Sequence, residues 1–293
     1  QSMLRVLILG SSGLLGKQIY NNLKKNKNIK LFHTGLKKKK INLSNKIKLK
    51  KFIYLVSPNL IINTIGLTNI EKCEKNLIAS KKINFGIIKE IFNIKFKNKL
   101  KFNLIHISTD QFYNHNQKKK SNENSKIFLM NNYCRHKRMA EIICSKNKAL
   151  IFRTNFFGKS ISKNKSFTDW IFQSFKKKDK ICLFDDVYFN PLRINTIVNL
   201  ISKIINEKKY NYSGIYNLGA KDALYKNEFA ILFAKKTHTL HNNYTNINVN
   251  KMLKVKRSIN MYMDVKKFEK KFKFKLPYIK EEILNEAKSY IKK

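Results

Sequence analysis

Three glycines placed between an apolar run and a helical repeat constrain this chain more than any other feature. Gly10-Ser11-Ser12-Gly13-Leu14-Leu15-Gly16 follows the run Leu4 to Leu9 and opens a stretch, Leu14 to Leu23, with apolar residues at helical spacing. A buried strand that turns on glycine straight into a helix is the phosphate-holding unit of dinucleotide-binding folds. The first glycine permits the tight turn, the second lets backbone approach a pyrophosphate, and the third lets helix and strand pack closely. The free N–H groups and the positive dipole end of the helix then hold the anion. A dinucleotide is therefore expected along Gly10, Ser12, Gly13, Leu14, Leu15 and Gly16. A glycine-rich structural turn is the alternative reading.

The rest of the N-terminal half keeps the same rhythm. Strands are expected at Ile29 to His33, Asn59 to Ile65, Phe102 to Ser108 and Ala149 to Thr154, and helices at Ala79 to Phe92 and Tyr133 to Cys144. Strands alternating with helices predict an α/β protein with a doubly wound parallel sheet of Rossmann type. After Phe157 the rhythm loosens into helices at Phe167 to Phe175, Asn195 to Ile205 and Asn227 to Lys236, with short strands at Ile181 to Phe184 and Gly214 to Leu218. The expected division is a dinucleotide-binding domain over 3–157, with 191–222 returning to it. A smaller, interleaved substrate-binding part takes 158–190 and 223–293. Gln1 and Ser2 precede the first methionine and read as a tag remnant, so the fold reading starts at Met3.

A formal charge of +44 would ordinarily point to nucleic acid. Arginine, however, occupies only six positions, and the other 56 basic residues are lysines spread along the chain. Base-reading surfaces rely on the bidentate guanidinium fork, so no nucleic-acid partner is expected. Abundant Lys, Asn and Ile fit the drift of an AT-rich genome; a selected basic surface is the alternative. Cys73, Cys134, Cys144 and Cys182 have neither disulfide nor zinc spacing, which fits a reducing cytosol. The longest uncharged stretch, Phe52 to Ile70, is broken by Ser57, Pro58, Asn59, Asn63, Thr64 and Asn69, and the apolar run before the glycines is short for a secretory signal. A cytoplasmic protein with no membrane partner is expected.

A Tyr with a Lys four residues later on a helix sets phenol and ammonium on one face, where the charge lowers the phenol pKa towards neutrality. Among 13 tyrosines about two or three such pairs should arise by chance, and three occur: Tyr20/Lys24, Tyr133/Lys137 and Tyr262/Lys266. Position separates them. Tyr20 lies in the helix leaving the phosphate loop and Tyr262 lies far past the sheet, whereas Tyr133 follows a strand ending Ile107-Ser108-Thr109-Asp110. Ligands of open α/β sheets bind at such C-terminal strand ends. Thr109, Tyr133 and Lys137 are thus the expected catalytic set.

The glycine spacing resembles that of the short-chain dehydrogenase/reductase superfamily. Ile107-Ser108-Thr109-Asp110-Gln111-Phe112-Tyr113 and the stretch Asn131 to Glu141 resemble its extended reductases and epimerases of nucleotide sugars. They are most similar to the dTDP-4-dehydrorhamnose reductase family. Asn63 to Glu74, Leu150 to Phe156 and Arg257 to Pro277 match the same family, so the resemblance covers nearly the whole chain. It implies reduction of a ketone on a deoxysugar joined to a nucleoside diphosphate, with hydride from a nicotinamide and a proton from Tyr133. It also implies that Lys137 holds the nicotinamide ribose and that Thr109 bonds the substrate oxygen. Further cofactor contacts are implied at Asn63, Thr64, Ile65 and Ser108, and substrate contacts at Thr68, Asp110, Phe156 and Arg257. A homodimer is suggested by the resemblance alone.

Several positions depart from the family. Cys134 replaces a usual Gly, Phe156 an aromatic that is commonly Trp, and Phe189-Asn190-Pro191-Leu192 a usual Gly-x-Pro-Thr. Lys17 and Gln18 stand where some members carry metal-holding acids, and no metal is expected. After the second strand, Thr34-Gly35-Leu36 leads into Lys37 to Lys40, with no acid for a ribose 2′-hydroxyl and cations, Lys37 first, for a 2′-phosphate. NADP(H) is favoured, with NAD(H) as the alternative. Three competing readings stay open: an epimerase or dehydratase on the same fold, a non-catalytic NADP-binding regulatory subunit, and a basic nucleic-acid-associated protein.

Overall fold

Val6, Leu7, Ile8 and Leu9 are wholly buried, so the first strand has no solvent face and its β-branched and leucine side chains pack on both sides. It is an inner strand, next to one edge, of a sheet in a computed structural model that describes residues 3–35, 42–43, 45–115, 118–161 and 165–291. The elements of the N-terminal half are β1 (Leu4–Leu9), α1 (Leu14–Leu23), β2 (Ile29–His33), α2 (Lys46–Val56) and β3 (Leu60–Asn63). They continue with α3 (Ile70–Lys75), α4 (Leu77–Lys81), α5 (Ile87–Lys97), β4 (Asn103–Ile107), α6 (Asn132–Lys146) and β5 (Leu150–Thr154). The six-stranded sheet runs Gly214–Leu218, β5, β4, β3, β1, β2. β1 pairs in parallel with β2 on one side and β3 on the other, and β3, β4 and β5 continue in parallel. This is the expected Rossmann-type architecture.

The chain order reverses between β1 and β3, so the loops leaving these two strands diverge at the switch point where open α/β sheets hold ligands. Both loops are among those singled out in the sequence, Gly10 to Gly16 and Asn63 to Ile65. One face of the sheet carries a core that includes Leu7, Ile61 and Ile151, packed under Leu49 and Ile53 of α2 and Ile88 and Ile91 of α5. Each such side chain contributes roughly 1.5–3 kcal/mol on burial.

The helix expected over 79–92 is broken by a wide π turn, Lys82–Gly86, between α4 and α5. Within that turn Asn84 is buried and its amide clamps the loop after β3, accepting from Leu67 N at 2.9 Å and donating to Leu67 O at 3.2 Å. Apolar periodicity alone does not register the extra residue of a π turn.

The chain forms two compact units, each assembled from separated stretches. The first takes the chain up to Ser108, then Asn131–Arg153 and Val198–Ile215. The second takes Thr109–Met130, Thr154–Ile197 and the chain from Tyr216 onward. In the second unit the helix Phe167–Lys176 starts in a capping box of Ser166 and Asp169. The strand Ile181–Phe184 pairs in parallel with Tyr244–Ile247. Tyr188–Phe189 lies between Leu224–Tyr225 and Asn260–Met261. Its core is aromatic, with Phe157, Phe175, Phe229, Phe233, Phe268 and Phe272 buried. Among the described residues no helix is long and apolar enough to cross a membrane.

Gly16 tests the close packing of α1 on the sheet. A Cβ there would lie 2.4 Å from Gly10 O and 2.5 Å from Thr64 Oγ1. Gly16→Ala should gain up to about 1 kcal/mol of helix propensity but lose about 1–3 kcal/mol to overpacking against backbone. Thermal unfolding should show a Tm lower by a few degrees, roughly 2–6 °C; a higher Tm would contradict this packing.

Candidate active site

Gly10 ends β1 with φ +85°, a left-handed conformation that favours glycine, and a Cβ on it would meet Thr64 Oγ1 at 2.8 Å. The turn is pinned from both neighbouring strand ends. Thr64 donates from its hydroxyl to Leu9 O at 2.8 Å and from its backbone to the same oxygen at 3.0 Å. Ser11 Oγ donates to Thr34 O at 2.6 Å, and Gly13 N donates back to Gly10 O at 3.0 Å. Gly13 is the N-cap of α1, so no side chain caps this end, and the first turn carries no acidic residue. Such an end is suited to an anion. Ser12 and Gly13 are exposed and Leu15 and Gly16 are buried, so Leu15 can offer only backbone to a ligand. A Cβ on Gly35 would come within 3.1 Å of Ser12 Oγ. Lys37, the candidate for a 2′-phosphate, lies outside the described residues.

α6 begins where Asn131 accepts from Cys134 N at 3.0 Å, and Glu74 holds the backbone N–H and side-chain amide of Asn132. Tyr133, Lys137, Ala140, Glu141 and Cys144 form its buried stripe, spaced at three and four residues. Lys137 reaches the end of β4, donating from Nζ to Ile107 O at 2.6 Å. Burial pushes its ammonium down to about 8, against the opposing effects of Cys144 and Glu141. The other two Tyr/Lys pairs are used locally. Lys24 Nζ lies 5.9 Å from the centre of the Tyr20 ring, and Tyr262 donates its hydroxyl to Lys221 O at 3.0 Å.

One turn beyond Lys137, Glu141 is fully buried and surrounded by donors. Arg153 approaches it bidentately, Nε to Oε2 at 2.9 Å and Nη2 to Oε1 at 2.6 Å. Ser108 donates to Oε2 at 2.8 Å, and Arg138 also bonds Oε1. Burial opposes the charge, but Arg153 and then Ser108 outweigh it and hold the carboxyl below the usual range. His106 on β4 is also buried and accepts at Nδ1 from Asn63 Nδ2 at 3.0 Å, since an amide nitrogen can only donate. Burial, with the Lys137 charge nearby, keeps its imidazole neutral. Its Nε2 has no hydrogen-bond partner among the described residues.

Thr109 directly follows Ser108 in the chain and opens the second unit. Its hydroxyl accepts from Gln111 N at 3.2 Å and lies 3.4 Å from Asp110 Oδ1. Asp110 is buried, and Asn155 donates to its Oδ2 at 2.8 Å. Burial raises this carboxyl to about 6 despite Asn155 and the charge of Lys226. Lys226 in turn is lowered to about 8 by burial, with Asp110, Arg257 and Asp186 as its charged neighbours. The second unit thus brings Asp110 and Arg257 together around Lys226, which the sequence reading missed, as it missed Asn155, His106 and Arg153. Phe156 is half-buried in a two-residue parallel pairing with Leu192, and Thr68 is exposed in the first unit.

The buried pair makes a direct stability prediction. Glu141→Gln keeps the shape but leaves Arg153 buried without its carboxylate, and should lose about 3–5 kcal/mol. Replacing both partners, Glu141→Leu with Arg153→Met, should recover most of that loss in urea unfolding. A Glu141→Gln protein as stable as the native one would show that the pair does not hold α6.

Comparison with known proteins bears on the whole chain. A curated relative, the spore coat polysaccharide biosynthesis protein SpsK of Bacillus subtilis, is 22% identical over 231 residues, 78% of this chain and 77% of that protein. A dTDP-4-dehydrorhamnose reductase ortholog from Clostridium acetobutylicum superposes with a TM-score of 0.85 at 21% identity, covering 97% of this chain and 98% of its own. The dTDP-4-dehydrorhamnose reductase of Bacillus anthracis, solved in complex with NADP, gives 0.85 at 19% identity over 98% and 99% of the two chains. These likenesses agree with the extended reductase architecture read from the sequence. The model of the RmlD substrate binding domain family matches residues 4–291, and the chain belongs to that family.

Proposed function

We propose that this chain reduces a keto group on a deoxysugar carried by a nucleoside diphosphate, using NADPH. The observation that carries the reading is the buried stripe of α6, which sets Tyr133 and Lys137 on one face and holds the ammonium against the end of β4. The first unit would bind the dinucleotide, with the Gly10 to Gly16 backbone and the uncapped end of α1 taking its diphosphate. The second would bind the sugar nucleotide through Asp110, Phe156 and Arg257. When bound, the nicotinamide supplies a hydride to the carbonyl carbon.

The chain's own groups handle the proton and the charge. Tyr133 gives its phenolic proton to the carbonyl oxygen as negative charge develops there. Lys137 stabilises the phenolate that remains, and its ammonium donates to the ribose. Thr109 offers its hydroxyl to the substrate oxygen. Asp110, buried beside Thr109 with its carboxyl raised to about 6, is the one observation that favours a second reading, a dehydratase or epimerase that needs a further acid or base.

NADPH oxidation followed at its near-UV absorbance with nucleotide-linked 4-keto sugars separates these readings. The expected result is one NADPH consumed per sugar reduced, a lower KM for NADPH than for NADH, and a fall of about 10²–10⁴-fold in Tyr133→Phe. Conversion of the sugar without net NADPH oxidation, or a Tyr133→Phe enzyme as active as the native one, would overturn the proposal.

A further inference from the structure

Lys226 opens the helix Lys226–Lys236 in the second unit, with its backbone N–H bound to Val187 O at 2.9 Å. Its ammonium lies 5.9 Å from the centre of the Phe167 ring and 5.6 Å from that of Phe189, two rings set edge to face 6.4 Å apart. No acceptor among the described residues hydrogen-bonds it. The nearby carboxylates are engaged elsewhere. Asp110 takes Asn155 and Thr109, and Asp186 accepts from Val249 N at 2.9 Å.

Lys226 is half-buried, and contact with the two rings offsets only part of the hydration its ammonium gives up. The charge neighbours do not supply the rest. Asp110 and Asp186 favour the charged form and Arg257 opposes it, yet burial still dominates Lys226. Its ammonium has three donors, and none is used within the described residues, so they are open to a ligand as well as to water. The two groups also complement each other: the ammonium only donates, while the Asp110 carboxylate has lone pairs beyond those that Asn155 and Thr109 use. A sugar hydroxyl both accepts and donates, and the half-buried Phe167 ring beside the ammonium suits the C–H or methyl side of a deoxysugar.

We propose that Lys226 is a specificity-determining residue for the sugar, donating to a ring hydroxyl whose own proton is taken by Asp110. This rests on the reading of the chain as a sugar-nucleotide reductase and places Lys226 beside Asp110, the neighbour of Thr109. It acts on recognition of the sugar and has no part in holding the nucleoside diphosphate.

Lys226→Met and Lys226→Arg test it. Lys226→Met should lower kcat/KM for the sugar nucleotide on the order of 10- to 100-fold, the range for one hydrogen bond to a charged group. Lys226→Arg, which keeps a donor, should recover part of that loss. The dissociation constants of NADPH and of free thymidine diphosphate should not change. Because the Lys226 side chain makes no hydrogen bond among the described residues, Lys226→Met should unfold close to the temperature of the native protein. A lower Tm with unchanged kcat/KM would make Lys226 a structural partner of Asp110. An equal loss of affinity for free thymidine diphosphate would move it to the diphosphate, and either result overturns the proposal. Failure of the native protein to bind NADPH or turn over any keto sugar would count against the parent reading, before Lys226 is at issue.

Discussion

A single carboxylate, that of Glu141, is shared by Arg153 at the end of β5, Ser108 just past β4, and Arg138 on its own helix. A charge this deep would be prohibitive alone, and Arg153 would be equally so. Together they fix where α6 lies along the strand ends. Lys137, one turn earlier on the same face, is carried by that placement to Ile107 O. The ion pair therefore does more than hold a helix to a sheet: it determines where the ammonium and, four residues before it, the phenol can stand.

The glycine loop answers to the same logic of close approach. Gly10 and Gly16 converge on Thr64, whose hydroxyl and N–H both bond the last carbonyl of β1. Thr64 is then a keystone of the loop in addition to its implied place under a cofactor. Asn63, the preceding residue, orients His106 and keeps its proton on Nε2. Neutral His106 spares Lys137 a second buried cation, which is the electrostatic condition for an ammonium that is already close to losing its charge.

Much of this was legible in the sequence because it rests on local patterns. The glycine loop, the strand runs and the Tyr133/Lys137 spacing are each contained within about a dozen residues. The break at Lys82–Gly86 was not legible, because the π turn serves a contact from Asn84 to Leu67 that periodicity does not encode. Arg153 was legible only as part of a strand, since its partner is defined by strand and helix packing. Lys226 was hidden for a different reason: among 56 lysines nothing local marks one whose ammonium comes near the Phe167 and Phe189 rings. The helices Lys266–Phe272 and Ile279–Ile291 also went unread, although Glu282 and Glu286 of the latter anchor Arg193.

The central claim is that a buried lysine on α6, its ammonium pushed down to about 8, serves a bound dinucleotide. NADPH affinity measured by fluorescence between pH 6.5 and 9.5 addresses it without any knowledge of the sugar. With Lys137 losing its proton at about 8, affinity should be flat below that pH and weaken above it. Lys137→Met should bind more weakly throughout and show no such inflection. Identical profiles for the two proteins would contradict the account.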